Sequence, residues 1–154
     1  MGLADNKCVP CRGGVPPLER RKADELLAQL GSGWQLNKEG HLERLYSFKD
    51  FAKALDFVNK VGAVAEAENH HPDFYLSWGK CKVEIWTHKI NGLTESDFYL
   101  AAKADRAFDS MKEAAERRTG QRNHLYRRGH MKVLVLCATV FLGSNVVRAA
   151  MGKG

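Results

Sequence analysis

The sequence predicts an α+β fold in which one four-stranded antiparallel sheet carries its helices on one face. Two observations lead to this prediction. Apolar residues recur at helical spacing in three separate segments, and a pair of short strand-like segments lies between each helix and the next. The element order is therefore α-β-β-α-β-β-α, followed by a C-terminal extension. Consecutive strands joined by tight turns pair antiparallel, and helices with one apolar face cover one side of such a sheet.

The first three elements are bounded by turn-forming residues. A helix is expected from about Leu18 to Leu30, and the run Gly31-Ser32-Gly33 ends it. A short strand from Trp34 to Leu36 follows. Its antiparallel partner is expected from Leu42 to Tyr46, because the turn-forming run Asn37-Lys38-Glu39-Gly40 lies between the two strands.

The second helix is expected to begin at a capping box, Ser47-Phe48-Lys49-Asp50. The Ser47 and Asp50 side chains can accept hydrogen bonds from free backbone N–H groups there. The helix should reach Asn69. His70 and His71 then lie at its C-terminal end, because Pro72 cannot continue a helix and disfavours helical geometry at the residue before it. Apolar residues follow the start at helical spacing: Phe48, Phe51, Leu55, Val58 and Val61.

A second strand pair and a third helix complete the domain. Strands are expected from Phe74 to Trp78 and from Cys81 to His88, joined by a tight turn at Gly79-Lys80. A second capping box, Thr94-Glu95-Ser96-Asp97, begins the last helix. One face of that helix is apolar: Leu100, Ala101, Ala104, Phe108, Met111 and Ala115.

Composition divides the chain into three segments: an arm rich in Cys, Pro and Gly over residues 1–17, a domain over residues 18–115, and an extension over residues 116–154. Residues 1–115 carry 16 Lys and Arg against 17 Asp and Glu, whereas residues 116–154 carry 8 against 1. The high isoelectric point therefore belongs to the extension. We do not expect the nearly neutral domain to bind nucleic acid.

The spacing of the four cysteines, Cys8, Cys11, Cys81 and Cys137, does not suggest a disulfide framework. This favours a reduced, cytoplasmic setting, and the N-terminus has no apolar signal region. The Cys8-x-x-Cys11 pair is open to three interpretations: half a zinc site, a redox pair or a free dithiol.

The extension contains a mostly apolar run, Val133–Val147, whose 15 residues fall short of the ~20 that a spanning helix needs. Flanking basic residues such as Arg148 could lengthen it by reaching the membrane interface. A membrane anchor or surface helix, a helix in an oligomer interface, and a disordered extension all stay open as hypotheses.

Candidate functional residues cluster around three histidines. His70 and His71 lie at a helix end, with Glu66 one turn upstream; His88 ends an apolar strand, and Asp97 follows it. Histidine exchanges a proton near neutral pH, so these residues predict acid–base chemistry in a single site. Adjacent histidines rarely share one ion because their side chains diverge, and no second ligand pair completes a tetrahedral set, so we expect no metal.

Each of these residues also has a structural explanation. The paired histidines could complement the dipole of a helix C-terminus. Glu66 could form a surface ion pair, His88 could be an ordinary strand-edge residue, and Asp97 is the last member of a capping box. The three tryptophans, Trp34, Trp78 and Trp86, are expected in the core.

The pattern Glu66-x3-His70-His71-Pro72, with Phe74-Tyr75, His88 and Asp97, resembles the signature of pterin-4a-carbinolamine dehydratases. The resemblance extends from about Leu18 to Ala115. Three further segments are also similar to members of that family: Gly33-Trp34, Phe48-x-x-Phe51 and the arm that begins Cys8-Val9-Pro10-Cys11.

The resemblance implies a four-stranded antiparallel sheet backed by helices, homodimers or homotetramers, and dehydration of 4a-hydroxytetrahydrobiopterin to quinonoid dihydrobiopterin without a metal or organic cofactor. Carried over by position, His70 and His88 would be the acid–base pair and His71 would bind or assist. Glu66 would bond the pterin edge or orient His70, and Asp97 would support His88. Which histidine is the acid stays open.

A binding or assembly protein on the same scaffold is the alternative. Members of the family also serve as dimerisation partners of a homeodomain transcription factor, and some relatives act in Rubisco assembly. Such roles would use the outer helix faces and could coexist with catalysis. The complete histidine set favours the enzyme, because a scaffold has no need of it.

Overall fold

The structure, a computed structural model, describes residues 2–9 and 16–117. The chain divides into two compact units, Met1–Met111 and Lys112–Gly154. Within the second unit only residues 112–117 are described, and they are helical. The first unit contains a short 3₁₀ turn (Leu3–Asp5), α1 (Arg20–Leu27), β1 (Gln35–Leu36), β2 (Leu42–Ser47), α2 (Phe51–Glu68), β3 (Asp73–Ser77), β4 (Lys80–Ile85), a second 3₁₀ turn (His88–Ile90) and α3 (residues 95–111).

The four strands form one antiparallel sheet in the order β1-β2-β4-β3. The central pair, β2 and β4, aligns Leu42 with Ile85 and Tyr46 with Cys81. The predicted α+β class and element order are confirmed. Strands β1 and β2 form one hairpin, and β3 and β4 form a second. The two hairpins pair through β2 and β4, so these two strands lie in the middle of the sheet.

The helices cover one face of this sheet. Along β4, Cys81, Val83 and Ile85 alternate toward the helices and are fully buried, whereas Lys82 and Glu84 between them point to the other face. Burial of these apolar side chains supplies most of the driving force for folding. Helices and strands contribute other fully buried residues to the same core: Leu42, Phe57, Val61, Phe98, Leu100, Ala101 and Ala104.

The tryptophans divide between the core and the surface. Trp34 is buried as predicted, and its indole N–H donates to Asp105, which also accepts from Arg44 and Tyr46. Trp78 is 72% exposed, so its predicted core position is wrong. It lies in the two-residue turn between Ser77, the end of β3, and Lys80, the start of β4.

Helix α2 begins later than the capping-box pattern suggests. Asp50, not Ser47, is the N-cap, and its carboxylate accepts the backbone N–H of Lys53 over 2.8 Å. Ser47 is instead the last residue of β2, paired with Lys80. The sheet therefore extends into the segment that local pattern assigns to the helix, and the acidic residue three positions later takes over the cap.

The end of α2 places His70. Asn69 adopts the left-handed conformation, with φ of 51°, and closes the helix. The next backbone N–H, that of His70, donates to the carbonyl of Ala65 over 3.1 Å. This six-to-one bond is the Schellman arrangement, which ties the residue after the cap to the last helical turn. The backbone of His70 is therefore fixed before its side chain makes any contact.

Strand β4 ends at Ile85, so the predicted strand end at His88 is wrong. The chain leaves the sheet and forms the 3₁₀ turn His88–Ile90, closed by a hydrogen bond of 2.9 Å from the N–H of Thr87 to the carbonyl of Gly92. Helix α1 also begins later than predicted. The backbone N–H of Leu18 donates to the carbonyl of Leu93, so Leu18 lies outside the helix.

Candidate active site

A buried histidine–aspartate pair lies at the centre of the candidate site. His70 and Asp97 are 4% and 0% exposed, and Nε2 of the imidazole is 2.7 Å from Oδ1 of the carboxylate. The two residues come from the end of α2 and the first turn of α3. A carboxylate in this position fixes the ring's orientation and stabilises the imidazolium that forms when the ring takes a proton.

The second oxygen of Asp97 is held from three directions. It accepts the backbone N–H of Thr94 over 2.6 Å, the hydroxyl of Thr94 over 3.1 Å and the hydroxyl of Thr87 over 2.9 Å. The bond to the Thr94 N–H is the predicted capping interaction at the start of α3. One carboxylate thus caps the helix and holds the imidazole at the same time.

The structure corrects the predicted partner of Asp97. Its carboxylate contacts His70 and not His88, because the first turn of α3 lies beside the C-terminal end of α2. His88 is nevertheless tied to the same centre through its neighbour. Thr87, the residue before it, donates to the carboxylate that holds His70. Backbone at residue 87 is therefore anchored beside the buried pair.

His71 is paired with Glu66 at the surface of the helix end. Its Nε2 is 3.0 Å from Oε1 of Glu66, and both side chains are largely exposed. We expected Glu66 to bond the pterin edge or to orient His70, four residues later; in the structure its carboxylate contacts His71. In an uninterrupted helix, the residue four positions after Glu66 would lie next to it. The left-handed conformation at Asn69 ends the helix, so His71, five positions after Glu66, takes that place instead.

His88 lies at the surface of the protein. Its side chain is 54% exposed, and Nε2 lies 4.0 Å from Oδ2 of Asp73 on β3. The ring packs against Trp86, with 4.1 Å between ring centroids and 42° between planes. Asp73 and Thr87 were not among the residues predicted for the site, although Thr87 directly precedes His88 and so carries a positional signal.

The N-terminal arm connects the two elements that carry the buried pair. The N–H of Cys8 donates to Glu68 at the end of α2 over 2.7 Å, and the N–H of Val9 donates to the hydroxyl of Ser96 at the start of α3 over 3.0 Å. Burial, with the negative charge of Glu68, raises the pKa of the Cys8 thiol to about 12. The thiol is therefore protonated at neutral pH.

Several predictions concern residues that the structure does not describe. Cys11 and the apolar run 133–147 lie outside the described residues, so the hypotheses on the dithiol and on the membrane stay predictions. Within residues 2–9 and 16–117, no three His, Cys, Asp or Glu side chains are grouped so that they could hold a metal ion. In the same part of the chain, no helix is long and apolar enough to cross a membrane.

Comparison with known proteins decides the family. The model of the family described as pterin 4 alpha carbinolamine dehydratase matches residues 16–107, more than half of the chain and the whole span from Glu66 to Asp97. The chain belongs to this pterin carbinolamine dehydratase family. The resemblance seen in the sequence is thereby confirmed.

Other members of this dehydratase family are close in sequence. A Rickettsia canadensis protein, provisionally named a pterin-4-alpha-carbinolamine dehydratase, is 61% identical over 103 residues, which are 67% of this chain and 94% of the relative. A Rubrobacter xylanophilus protein with the same provisional name is 54% identical over 104 residues, covering 68% and 96%. The crystal structure of a "transcriptional coactivator/pterin dehydratase" from Brucella melitensis superposes with a TM-score of 0.56 at 32% identity, covering 59% of this chain and 97% of that one.

Proposed function

We propose that this protein is a hydro-lyase that removes water from 4a-hydroxytetrahydrobiopterin to give quinonoid dihydrobiopterin, as part of tetrahydrobiopterin recycling. The buried pair of His70 and Asp97 carries the proposal. A hydrogen-bonded imidazole and carboxylate, both nearly inaccessible to water, form an arrangement suited to proton transfer. Membership of the dehydratase family supports the substrate class.

The reaction needs two proton transfers. The substrate carries a hydroxyl on C4a and a hydrogen on the neighbouring ring nitrogen. The bond from C4a to oxygen breaks, its electron pair leaves with the oxygen, and a general acid supplies the proton that completes a water molecule. The nitrogen lone pair forms the new C=N bond, and a general base removes the proton from that nitrogen. The sum is loss of one water molecule without oxidation or reduction.

His70 and His88 are assigned to these two transfers. The Asp97 carboxylate would stabilise His70 as imidazolium, whichever of the two steps His70 performs. His88, exposed on its turn, is accessible to a substrate. His71 and Glu66 form an exposed polar pair at the helix end, where they would bind the amide and amino edge of the pterin.

Stopped-flow measurement of hydroxypterin dehydration tests this assignment. His70→Ala and His88→Ala are each expected to slow the catalysed step by about 10²–10⁴-fold, the usual contribution of a general acid or base. Because His70 is buried, His70→Gln should be measured beside it, with circular dichroism to verify folding. His130→Ala, outside the family-matched residues, is the control and should keep the wild-type rate. Near-wild-type rates in both active-site alanine variants would refute the proposal.

A second candidate role is protein assembly through α2. Phe51 and Leu55 lie one turn apart on this helix and are 45% and 40% exposed, which forms an apolar patch on its outer side. The similar Brucella melitensis protein is described as a "transcriptional coactivator/pterin dehydratase". This patch would hold a homodimer or homotetramer together, or bind another protein.

Light scattering tests the assembly role. If the patch joins copies, the wild-type protein has a mass that is a multiple of 17.2 kDa, and Phe51→Ser with Leu55→Ser reduces it. A wild-type monomer would refute the homo-oligomer. An unchanged mass in the double variant would assign the interface to another face.

A further inference from the structure

Three aromatic rings form a column that ends on His88. The imidazole of His41 lies flat on the indole of Trp86, with 4.2 Å between centroids and 1° between planes. The indole also packs against the imidazole of His88, with 4.1 Å between centroids and 42° between planes. We call His41, Trp86 and His88 the ring column. It joins the start of β2 to the turn that carries a proposed acid–base residue.

The far end of the ring column is held firmly. Nδ1 of His41 is 2.9 Å from Oε1 of Glu84, and the side-chain amide of Asn37 donates to the same oxygen over 2.8 Å. Asn37 also accepts the backbone N–H of His41 over 2.9 Å. Burial raises the pKa of Glu84, but hydrogen bonds from His41, Lys82 and Asn37 outweigh it and leave that pKa lowered. His41 therefore has a charged, immobile partner.

His88, at the near end of the ring column, has weaker contacts than His41. The His88 side chain is 54% exposed, and its nearest acidic oxygen, on Asp73, is at 4.0 Å, which is beyond hydrogen-bond distance. The ring stands on a 3₁₀ turn of three residues. The torsion that rotates an imidazole is broad, so without a packed neighbour such a ring samples many orientations. Trp86 provides a packed face that can select one of them.

We propose that Trp86, held flat against His41, is the positioning residue of His88. The indole would set the plane in which the imidazole presents its nitrogens to a substrate. This inference rests on the proposed function for its catalytic meaning, but the positioning itself is a property of the free protein. A reacting group displaced by about 1 Å can lose about 10²-fold in rate, so orientation of this kind is measurable in the turnover rate.

The test compares Trp86→Ala, Trp86→Phe and a matched control, Trp78→Ala. The control removes the same side chain from the other end of the β3–β4 hairpin, where it is 72% exposed. Trp86→Ala is expected to lower kcat by about 10–100-fold with little change in KM, because it disorders a reacting group and leaves the other substrate contacts in place. Trp86→Phe, which keeps an aromatic face, should recover most of kcat, and Trp78→Ala should match the wild type.

An NMR measurement separates positioning from catalysis. Ring protons of His88 above an indole are shifted upfield, and the shift should disappear in Trp86→Ala and persist in Trp86→Phe and Trp78→Ala. Unchanged His88 shifts in Trp86→Ala would overturn the inference, and so would an unchanged kcat or equal losses in the Ala and Phe variants. If the wild-type protein does not turn over the hydroxypterin, the proposed function fails, and the His88 shifts alone decide whether Trp86 positions His88.

Discussion

Asp97→Asn is the substitution that tests the centre of the candidate site most directly. It replaces one carboxylate oxygen by an NH₂ group at a position that is 0% exposed, with almost no change in volume. Both oxygens of Asp97 accept hydrogen bonds: Oδ1 faces Nε2 of His70, and Oδ2 accepts the backbone N–H of Thr94. An asparagine can satisfy only one of these nitrogens as an acceptor.

The geometry decides which bond is kept. The backbone N–H of Thr94 can only donate, so the amide oxygen should stay on it, while the hydroxyls of Thr87 and Thr94 can rotate to suit. The new NH₂ group then faces Nε2 of His70, which must accept. We therefore expect the His70 proton to move from Nε2 to Nδ1, so that the neutral ring changes tautomer.

Two magnitudes follow from this exchange. Hydrogen bonds to a charged group contribute about 1.5–3 kcal/mol and neutral ones about 0.5–1.5 kcal/mol, so the variant should unfold more easily by about 1–2 kcal/mol. The catalytic loss should be much larger, about 10²–10⁴-fold. The imidazolium of His70 loses its carboxylate, and the same substitution in a Ser-His-Asp triad costs about 10⁴-fold through the wrong tautomer.

Three measurements check this prediction: urea denaturation, stopped-flow dehydration, and ¹⁵N NMR of the His70 ring nitrogens. Asp24→Asn is the control, since Asp24 pairs with Arg20 on the surface of α1 and should change none of the three. A variant that dehydrates the hydroxypterin at the wild-type rate with the proton still on Nε2 would refute the role given to Asp97.

Two further predictions concern stability. Phe57→Ala should lower the free energy of unfolding in urea by about 3–5 kcal/mol, because the ring is 0% exposed. Trp78→Ala, whose side chain is 72% exposed, should lower the same free energy by about 1 kcal/mol or less, and equal losses in the two variants would contradict this view of the core. Hydrogen bonds from Lys103 and from the Cys8 N–H lower the pKa of Glu68. Their stabilisation is complete above the unfolded-state pKa of about 4.3 and is lost as pH falls through the lower folded-state value. Glu68→Gln should therefore destabilise the protein more at pH 7 than at pH 2, and a loss that is the same at both would contradict the assignment.

The fold was accessible from sequence because its signals are local. Apolar spacing identifies three helices, and turn residues such as those at Asn37–Gly40 separate the strands. Pro72 marks the end of α2 and Thr94 the start of α3, since a missing N–H and a capping side chain act on neighbouring backbone. Boundaries were less accessible: Ser47 is a strand residue because β4 pairs with it across the sheet.

The candidate site residues were named from the sequence before their geometry was known. The family is confirmed, and the roles given to the histidines and carboxylates stay proposals. Their partners were not readable. Asp97 is 27 residues from His70, and Cys8 is 60 residues from Glu68. Local pattern carries no information on which distant side chain occupies a shared space.

The sequence by itself therefore determined the element order and the family, and it supplied the candidate site residues. Only the tertiary structure decided that Asp97 holds His70, that Glu66 holds His71, and that Trp86 packs against both His41 and His88. The physical reason is the same in each case. Periodicity and capping act within one or two turns of chain, whereas the end of α2, the start of α3 and the turn after β4 meet only when the sheet and helices pack around a common core.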